Sequence, residues 1–164
     1  MKSPILNVEN VSFQGWSHGD SYEAEIGWVG TVLGSKKLGY NVTVLAPGKC
    51  AFPFHFHHAN EEMFFVLEGR GIIRIGQASH KIRKGDFISL PPGRESAHQI
   101  VNDSDAPLRY IALSTMEMPE VAEYPESGKL GVFCGSPPGR PASGDSIRHF
   151  TRVKDAVDYW EGEK

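Results

Sequence analysis

Residues 48–69 read GKCAFPFHFHHANEEMFFVLEG, and they bring two histidines and a glutamate into the spacing of a metal site on β-structure. Alternate residues of a strand point to the same face, so we expect His55 and His57 to project together. Glu62 opens the next apolar run. Imidazole and carboxylate ligands suit transition metals far better than they suit Ca or Mg. The stretch therefore predicts a site for one divalent transition metal.

A second stretch adds a third histidine. Residues 85–102 read GDFISLPPGRESAHQIVN, in which Pro91-Pro92-Gly93 ends a short strand and His98 follows. A turn built from proline and glycine reverses the chain. We therefore expect His98 to return beside the first three candidate ligands.

Together the two stretches resemble the paired motifs of the cupin family. The residues that match the first motif are Gly48, His55, His57, Glu62 and Gly69. The residues that match the second motif are Gly85, Pro91, Gly93, His98 and Asn102. The resemblance implies a double-stranded β-helix, or jelly-roll barrel, in which His55, His57, Glu62 and His98 hold one divalent metal such as Zn, Mn, Fe or Ni. Two turns, before His55 and before His98, are longer than the family pattern, and this difference alters loop length more than ligand direction.

Two adjacent glutamates compete for the carboxylate position, and the spacing of the motif that the chain resembles implies Glu62 rather than Glu61. Choosing Glu62 also directs Phe64 and Val66 to the metal's face, where they form an apolar wall. The apolar residues left on the outward face are Met63, Phe65 and Leu67. Since exposed sheet edges and apolar outer faces are usually covered, we predict a homodimer.

Composition indicates one compact domain over residues 1–164, with a barrel core at about 22–116. The net charge of −3 has both signs interspersed, which argues against a nucleic-acid partner. No apolar run reaches the ~20 residues of a membrane helix. The first residues contain no apolar signal segment, so we expect a cytoplasmic protein with reduced cysteines.

Short alternating runs separated by many of the 18 glycines and 11 prolines predict an all-β fold of antiparallel strands, with strands also preceding the barrel motifs. Glu68-Gly69-Arg70 is predicted to be a hairpin turn, and 98–101 and 108–114 are predicted to pair. The prolines beyond residue 116 predict an irregular C-terminal extension over 117–164, with a surface loop at 136–146. Apolar spacing from Val153 to Trp160 indicates a short helix within it.

Three functional classes are compatible with this pattern. In the first, the metal acts as a Lewis acid in an enzyme on a small molecule, such as a sugar or sugar-phosphate isomerase or epimerase, or alternatively a dioxygenase. In the second, the barrel binds or senses a small molecule without turnover. In the third, the metal is structural, although closed structural zinc sites are usually rich in cysteine. The candidate ligand-binding residues beside the metal are Arg94, Gln99 and Tyr110.

Overall fold

The computed structural model describes residues 3–138 and 144–163. Within them the chain forms thirteen strands and one short helix, α1, at Val29–Leu33. The strands are β1 (Gln14–His18), β2 (Tyr22–Gly27), β3 (Leu38–Leu45), β4 (Phe56–His57), β5 (Glu62–Glu68), β6 (Arg70–Ile75), β7 (Ala78–Arg83), β8 (Phe87–Leu90), β9 (His98–Val101), β10 (Leu108–Thr115), β11 (Glu120–Tyr124), β12 (Lys129–Cys134) and β13 (Ile147–Arg152). Single 3-10 turns lie at Val8–Asn10, Arg94–Ser96 and Val153–Asp155.

The strands form three antiparallel sheets. A six-stranded sheet has the order β1-β2-β3-β10-β5-β8, a three-stranded sheet has the order β7-β6-β9, and a four-stranded sheet has the order β13-β12-β11-β4. Buried side chains from the six-stranded and three-stranded sheets belong to one apolar cluster, so these two sheets enclose a common core. This architecture confirms the predicted all-β jelly roll, in which facing sheets share their inward side chains.

Strand β5 shows the alternation that the sequence predicts. Phe64 and Val66 are buried in the core, which places them on the same face as Glu62. The outward residues of this strand are only half-buried, and the ring of Phe65 lies 4.3 Å from the ring of Phe87. Phe87 is itself 74% exposed. The homodimer remains a prediction, and this apolar outer face is where we expect its contacts.

Two predicted strand pairings are wrong. Strands β5 and β6 follow one another through Gly69 but lie in different sheets, as do β9 and β10. Gly69 has a φ of 81°, and a Cβ there would lie 2.4 Å from the carbonyl oxygen of Pro107. Only glycine accepts both the left-handed conformation and this close backbone approach. The residue therefore carries the chain across the barrel, whereas the turn at residues 76–77 does form the predicted hairpin between β6 and β7.

The segment after residue 116 is more regular than the sequence predicts. It contributes β11, β12 and β13, and β11 pairs with β4 in the register Ala122↔His57. The described prolines lie between these strands, at positions 119, 125, 137 and 138, so no interior ladder bond is lost. The predicted helix after Val153 is limited to one 3-10 turn. Part of the predicted loop, residues 139–143, lies outside the described residues.

Across the described ranges 3–138 and 144–163, no helix is both long enough and apolar enough to span a membrane.

Candidate metal centre

The four predicted metal-binding side chains come from three neighbouring places in the barrel. His57 lies in β4, Glu62 begins β5 and His98 begins β9, while His55 directly precedes β4. His55 and His98 form an antiparallel bridge, in which His55 N donates to His98 O at 3.1 Å and His98 N donates to His55 O at 2.8 Å. The two ring centroids are consequently 4.6 Å apart. The proline–glycine turn does return His98 to the first motif.

Three of these side chains form a compact donor group. One donor atom each from His55, Glu62 and His98 lie within 4.8 Å of one another. His98 Nε2 is 3.2 Å from Glu62 Oε2, and His57 Nε2 is 3.5 Å from the same oxygen. His57 therefore borders the three-residue group through Glu62. Neither His98 Nε2 nor Glu62 Oε2 has a hydrogen-bond partner of normal geometry, although both atoms are buried. A bound cation would satisfy both atoms, so the donor set fits a metal ion.

Backbone contacts fix how two of the imidazoles present their nitrogens. The Nδ1 of His55 lies 2.8 Å from the carbonyl oxygen of Pro53, and the Nδ1 of His98 lies 2.9 Å from that of Ser96. A carbonyl oxygen only accepts, so in each ring Nδ1–H donates and Nε2 keeps its lone pair. Such an arrangement orients a histidine and raises its basicity towards a metal.

Burial and neighbouring charges set the protonation of the donor group. Burial, assisted by His98 and His57, lowers the pKa of His55 to about 3, although Glu62 acts in the opposite direction. Burial alone would raise the pKa of Glu62, but the close approach of His98, together with His57 and His55, lowers it to about 2. His55 is therefore neutral and Glu62 ionised at neutral pH, which are the forms that bind a metal.

His57 differs because a second carboxylate lies behind it. Burial disfavours its charged form, yet Glu120 and Glu62 together raise the pKa of His57 above its ordinary value. Glu120 is completely buried, and its Oε2 is 3.7 Å from His57 Nδ1. Glu120 also accepts hydrogen bonds from His58 N at 3.0 Å and from Asn60 N at 2.9 Å, as well as from the Asn60 side chain. This carboxylate therefore connects β11 to the loop after β4.

Nothing in the sequence identifies Glu120 as part of the site. Residues 120–124 read Glu-Val-Ala-Glu-Tyr and lie beyond both motifs, in the segment predicted to be irregular. In the structure they form β11, in which Glu120 and Ala122 are buried and Val121 is only half-buried. The inward direction depends on pairing with β4, which is distant in sequence.

The donor group opens into a cavity of about 330 Å³, a size typical of sites for small molecules. Its aromatic lining residues are Trp28, Tyr40, Phe52, Phe64, Tyr110, Tyr124, Phe133 and Phe150. Among the described lining residues, the only carboxylate is that of Glu62 and the only Lys or Arg is Arg148. One wall comes from β11, β12 and β13, so the C-terminal segment helps to enclose the cavity.

Of the three predicted ligand-binding residues, Gln99 and Tyr110 line the cavity. Gln99 is partly engaged, since its Nε2 donates to the carbonyl oxygen of Phe52 at 2.9 Å. Tyr110 is buried, and burial raises the pKa of its hydroxyl. Arg94 lies outside the described lining, where its Nη2 is 3.6 Å from Glu123 Oε2. Arg94 lies in the exposed part of the turn Arg94–Ser96, so its side chain is at the surface and not in the cavity.

Comparisons with known proteins agree with this fold. Residues 41–114 match the family model of the cupin domain. An uncharacterized protein from Methanocaldococcus jannaschii is 35% identical over 60 residues, which are 37% of this chain and 46% of that protein. The match thus spans less than half the length of this relative.

Two solved structures resemble nearly the whole chain. One, from Acidithiobacillus ferrooxidans, is assigned as a sugar phosphate isomerase; it has a TM-score of 0.78 and 21% identity, with 94% of this chain and 96% of that chain covered. The other is a sugar phosphate isomerase of the same superfamily from Silicibacter pomeroyi, with a TM-score of 0.76, 24% identity, and coverage of 93% and 95%. At these identities the likeness establishes a common fold, including the C-terminal sheet.

Proposed function

The chain is a member of the cupin superfamily, and on this premise we propose that it is a metal-dependent enzyme that isomerises a sugar or sugar phosphate. The observation that carries the proposal is the convergence of unsatisfied buried donor atoms at the wall of a cavity. Two solved structures that resemble almost the full chain are named as sugar phosphate isomerases, and these names support isomerisation as the reaction class.

We assign His55, His57, Glu62 and His98 as the ligands of one divalent ion. The assignment of His55, Glu62 and His98 is supported by their donor atoms, which lie within 4.8 Å of one another. The assignment of His57 is supported by its approach to Glu62. Zn, Mn, Fe and Ni are all compatible with nitrogen and oxygen donors. Such ions accept roughly four to six ligands, so this set leaves room for substrate oxygens beside the protein donors.

The bound metal would polarise the substrate carbonyl as a Lewis acid. The chain's own residues would exclude water, orient the substrate and move a proton between adjacent carbons. Glu62 is the only carboxylate among the described lining residues, so its oxygen that does not hold the ion would accept this proton. Tyr124 stacks on His55 with ring centroids 5.8 Å apart, and burial raises its pKa. Its hydroxyl is therefore protonated at neutral pH and would donate to a substrate oxygen.

Metal analysis combined with an isomerase screen tests this proposal. Wild-type protein purified with its metal would be assayed for interconversion of aldose and ketose phosphates, alongside His98→Ala and the control His80→Ala. His80 is exposed on β7 and outside the cavity lining. We expect His98→Ala to lose both the ion and turnover, and His80→Ala to keep both.

Two results would contradict the proposal. Stoichiometric iron with substrate-dependent oxygen uptake would indicate a dioxygenase. Tight binding of a sugar phosphate with no interconversion would indicate a binding or sensing protein.

A further inference from the structure

We propose that Arg148 binds the anionic group of an extended phosphorylated sugar whose carbonyl end lies at the metal cluster, so that the enzyme selects phosphorylated over neutral sugars. This inference rests on the proposed function, and it specifies the substrate class of the same cavity. It concerns a residue in the C-terminal strands, outside both motifs.

The register of the C-terminal sheet places Arg148 on the cavity wall. Glu120 pairs with Phe133, and Phe133 pairs with Arg148, so the three residues form one row across β11, β12 and β13. Directly paired residues of neighbouring strands project to the same face, and Phe133 and Arg148 both line the cavity. Strand β4, with His57, is three strand positions from β13, or about 14 Å between backbones. Arg148 is therefore well separated from the donor group along one wall.

Aromatic packing supports the guanidinium at this position. Its central carbon lies 5.7 Å from the centroid of the Phe133 ring, and Phe133 is 4% exposed. Phe133 meets the ring of Phe150 edge-on at 5.7 Å. Gly131 leaves space for this contact, since a Cβ there would lie 2.7 Å from Phe150 Cε1. Arg148 is itself exposed, and it rests on an aromatic surface, which favours a cation.

A continuous series of rings joins this position to the donor group. Phe150 is 6.2 Å from Tyr124, and Tyr124 is 5.8 Å from His55, measured between ring centroids. Aromatic faces can pack against the C–H faces of a sugar, so this wall suits the body of the substrate. The carbonyl end would then lie at the cluster, and the other end would lie towards Arg148.

The charges of the cavity favour an anion at that end. With a divalent ion held at Glu62, the charges of the ion, Glu62 and Arg148 give the described cavity lining a net positive charge. The planar guanidinium presents paired N–H donors that match phosphate oxygens. Hydrogen bonds to a charged group contribute about 1.5–3 kcal/mol, which corresponds to roughly 10- to 100-fold in affinity.

The test compares fructose 6-phosphate with fructose by calorimetric titration of the metal-loaded protein. We expect wild-type protein to bind the phosphorylated sugar about 10- to 100-fold more tightly, and Arg148→Gln to lose most of that preference. Arg148→Lys keeps the charge without the planar fork and should recover only part of it. The matched control is Arg94→Gln, which removes an exposed arginine outside the cavity lining and should leave the preference unchanged.

Metal content, thermal midpoint and turnover are measured on every variant. An unchanged preference in Arg148→Gln would overturn the inference, as would equal affinity of wild-type protein for both sugars or binding of neither. An equal loss of preference in Arg94→Gln would also overturn it. Because the readout is a ratio of affinities, selective binding that depends on Arg148 but occurs without turnover would refute the proposed function while supporting the anion site.

Discussion

Replacing Glu120 with glutamine should weaken both the fold and the metal site, although Glu120 lies behind the donor group. The carboxylate accepts from His58 N and Asn60 N, and it is 3.7 Å from His57 Nδ1. Glutamine retains one acceptor oxygen and turns its NH₂ group towards a backbone donor. One buried N–H then loses its partner, at about 1–3 kcal/mol, and the remaining contacts lose their charge. We expect the free energy of unfolding to fall by roughly 2–4 kcal/mol.

The same substitution should lower metal affinity. Groups that hydrogen-bond or pair with a metal-binding histidine typically contribute about 10- to 100-fold in affinity, because they orient the ring and increase its basicity. Glu120 supports His57 electrostatically and holds the loop that follows it, so Glu120→Gln should fall in this range. Competition with a chelating dye would measure the affinity, and urea denaturation of the metal-free protein would measure stability.

Glu123→Gln is the matched control for this prediction. Glu123 lies on the same strand, but it pairs with the exposed side chains of His58 and Arg94. Such partly exposed pairs contribute at most about 1 kcal/mol. A metal affinity in Glu120→Gln within twofold of wild type, or an equal fall in Glu123→Gln, would refute the reasoning.

Three further predictions concern pH, metal and packing. In the metal-free protein, stability should decrease as the pH falls from 6.5 to 4.5, because the pKa of His55 is lowered to about 3 and the unfolded chain therefore takes up a proton at this histidine first. Glu62, with a pKa of about 2, adds to the loss of stability below pH 4.5. Urea midpoints that stay constant over this pH range would contradict the prediction. His57, whose pKa is raised, contributes constantly in this window and loses its contribution only above 6.5. Metal at roughly 100 times its Kd should stabilise the protein by about 2.7 kcal/mol, a shift that a chelator reverses in thermal denaturation; no shift would exclude a site specific to the folded chain. Gly131→Ala should cost about 1–3 kcal/mol and weaken sugar-phosphate binding with metal content intact, because its Cβ displaces the Phe150 ring; unchanged urea stability would refute this.

Local spacing was sufficient to predict the convergence of the donor group. His55 and Glu62 lie at either end of β4 and its following loop, so their relative positions depend on a few residues. The proline–glycine turn carries His98 back over a similarly short distance. The choice of Glu62 over Glu61 followed from the spacing of the first motif, and the period of two in β5 agrees with it, since Glu61 is exposed.

The partners of the strands could not be predicted in the same way. Strands β5 and β6 are neighbours in sequence and were expected to pair, yet Gly69 carries the chain from one sheet to the other. The alternation of β5 indicates which residues face inward, but it contains no information about which strand lies beside them. Proline likewise marked the C-terminal segment as broken, although the described prolines fall between strands.

Short-range periodicity and turns were enough to predict the all-β character, the two motifs and the convergence of the donor residues from the sequence. The sheet formed by the C-terminal segment, the position of Glu120 beside His57 and the position of Arg148 at the cavity are visible in the three-dimensional structure alone. Those residues approach the donor group through pairing between β4, β11, β12 and β13, which are far apart along the chain. Pairing between distant strands is selected by the packing of the whole barrel, and no local pattern encodes it.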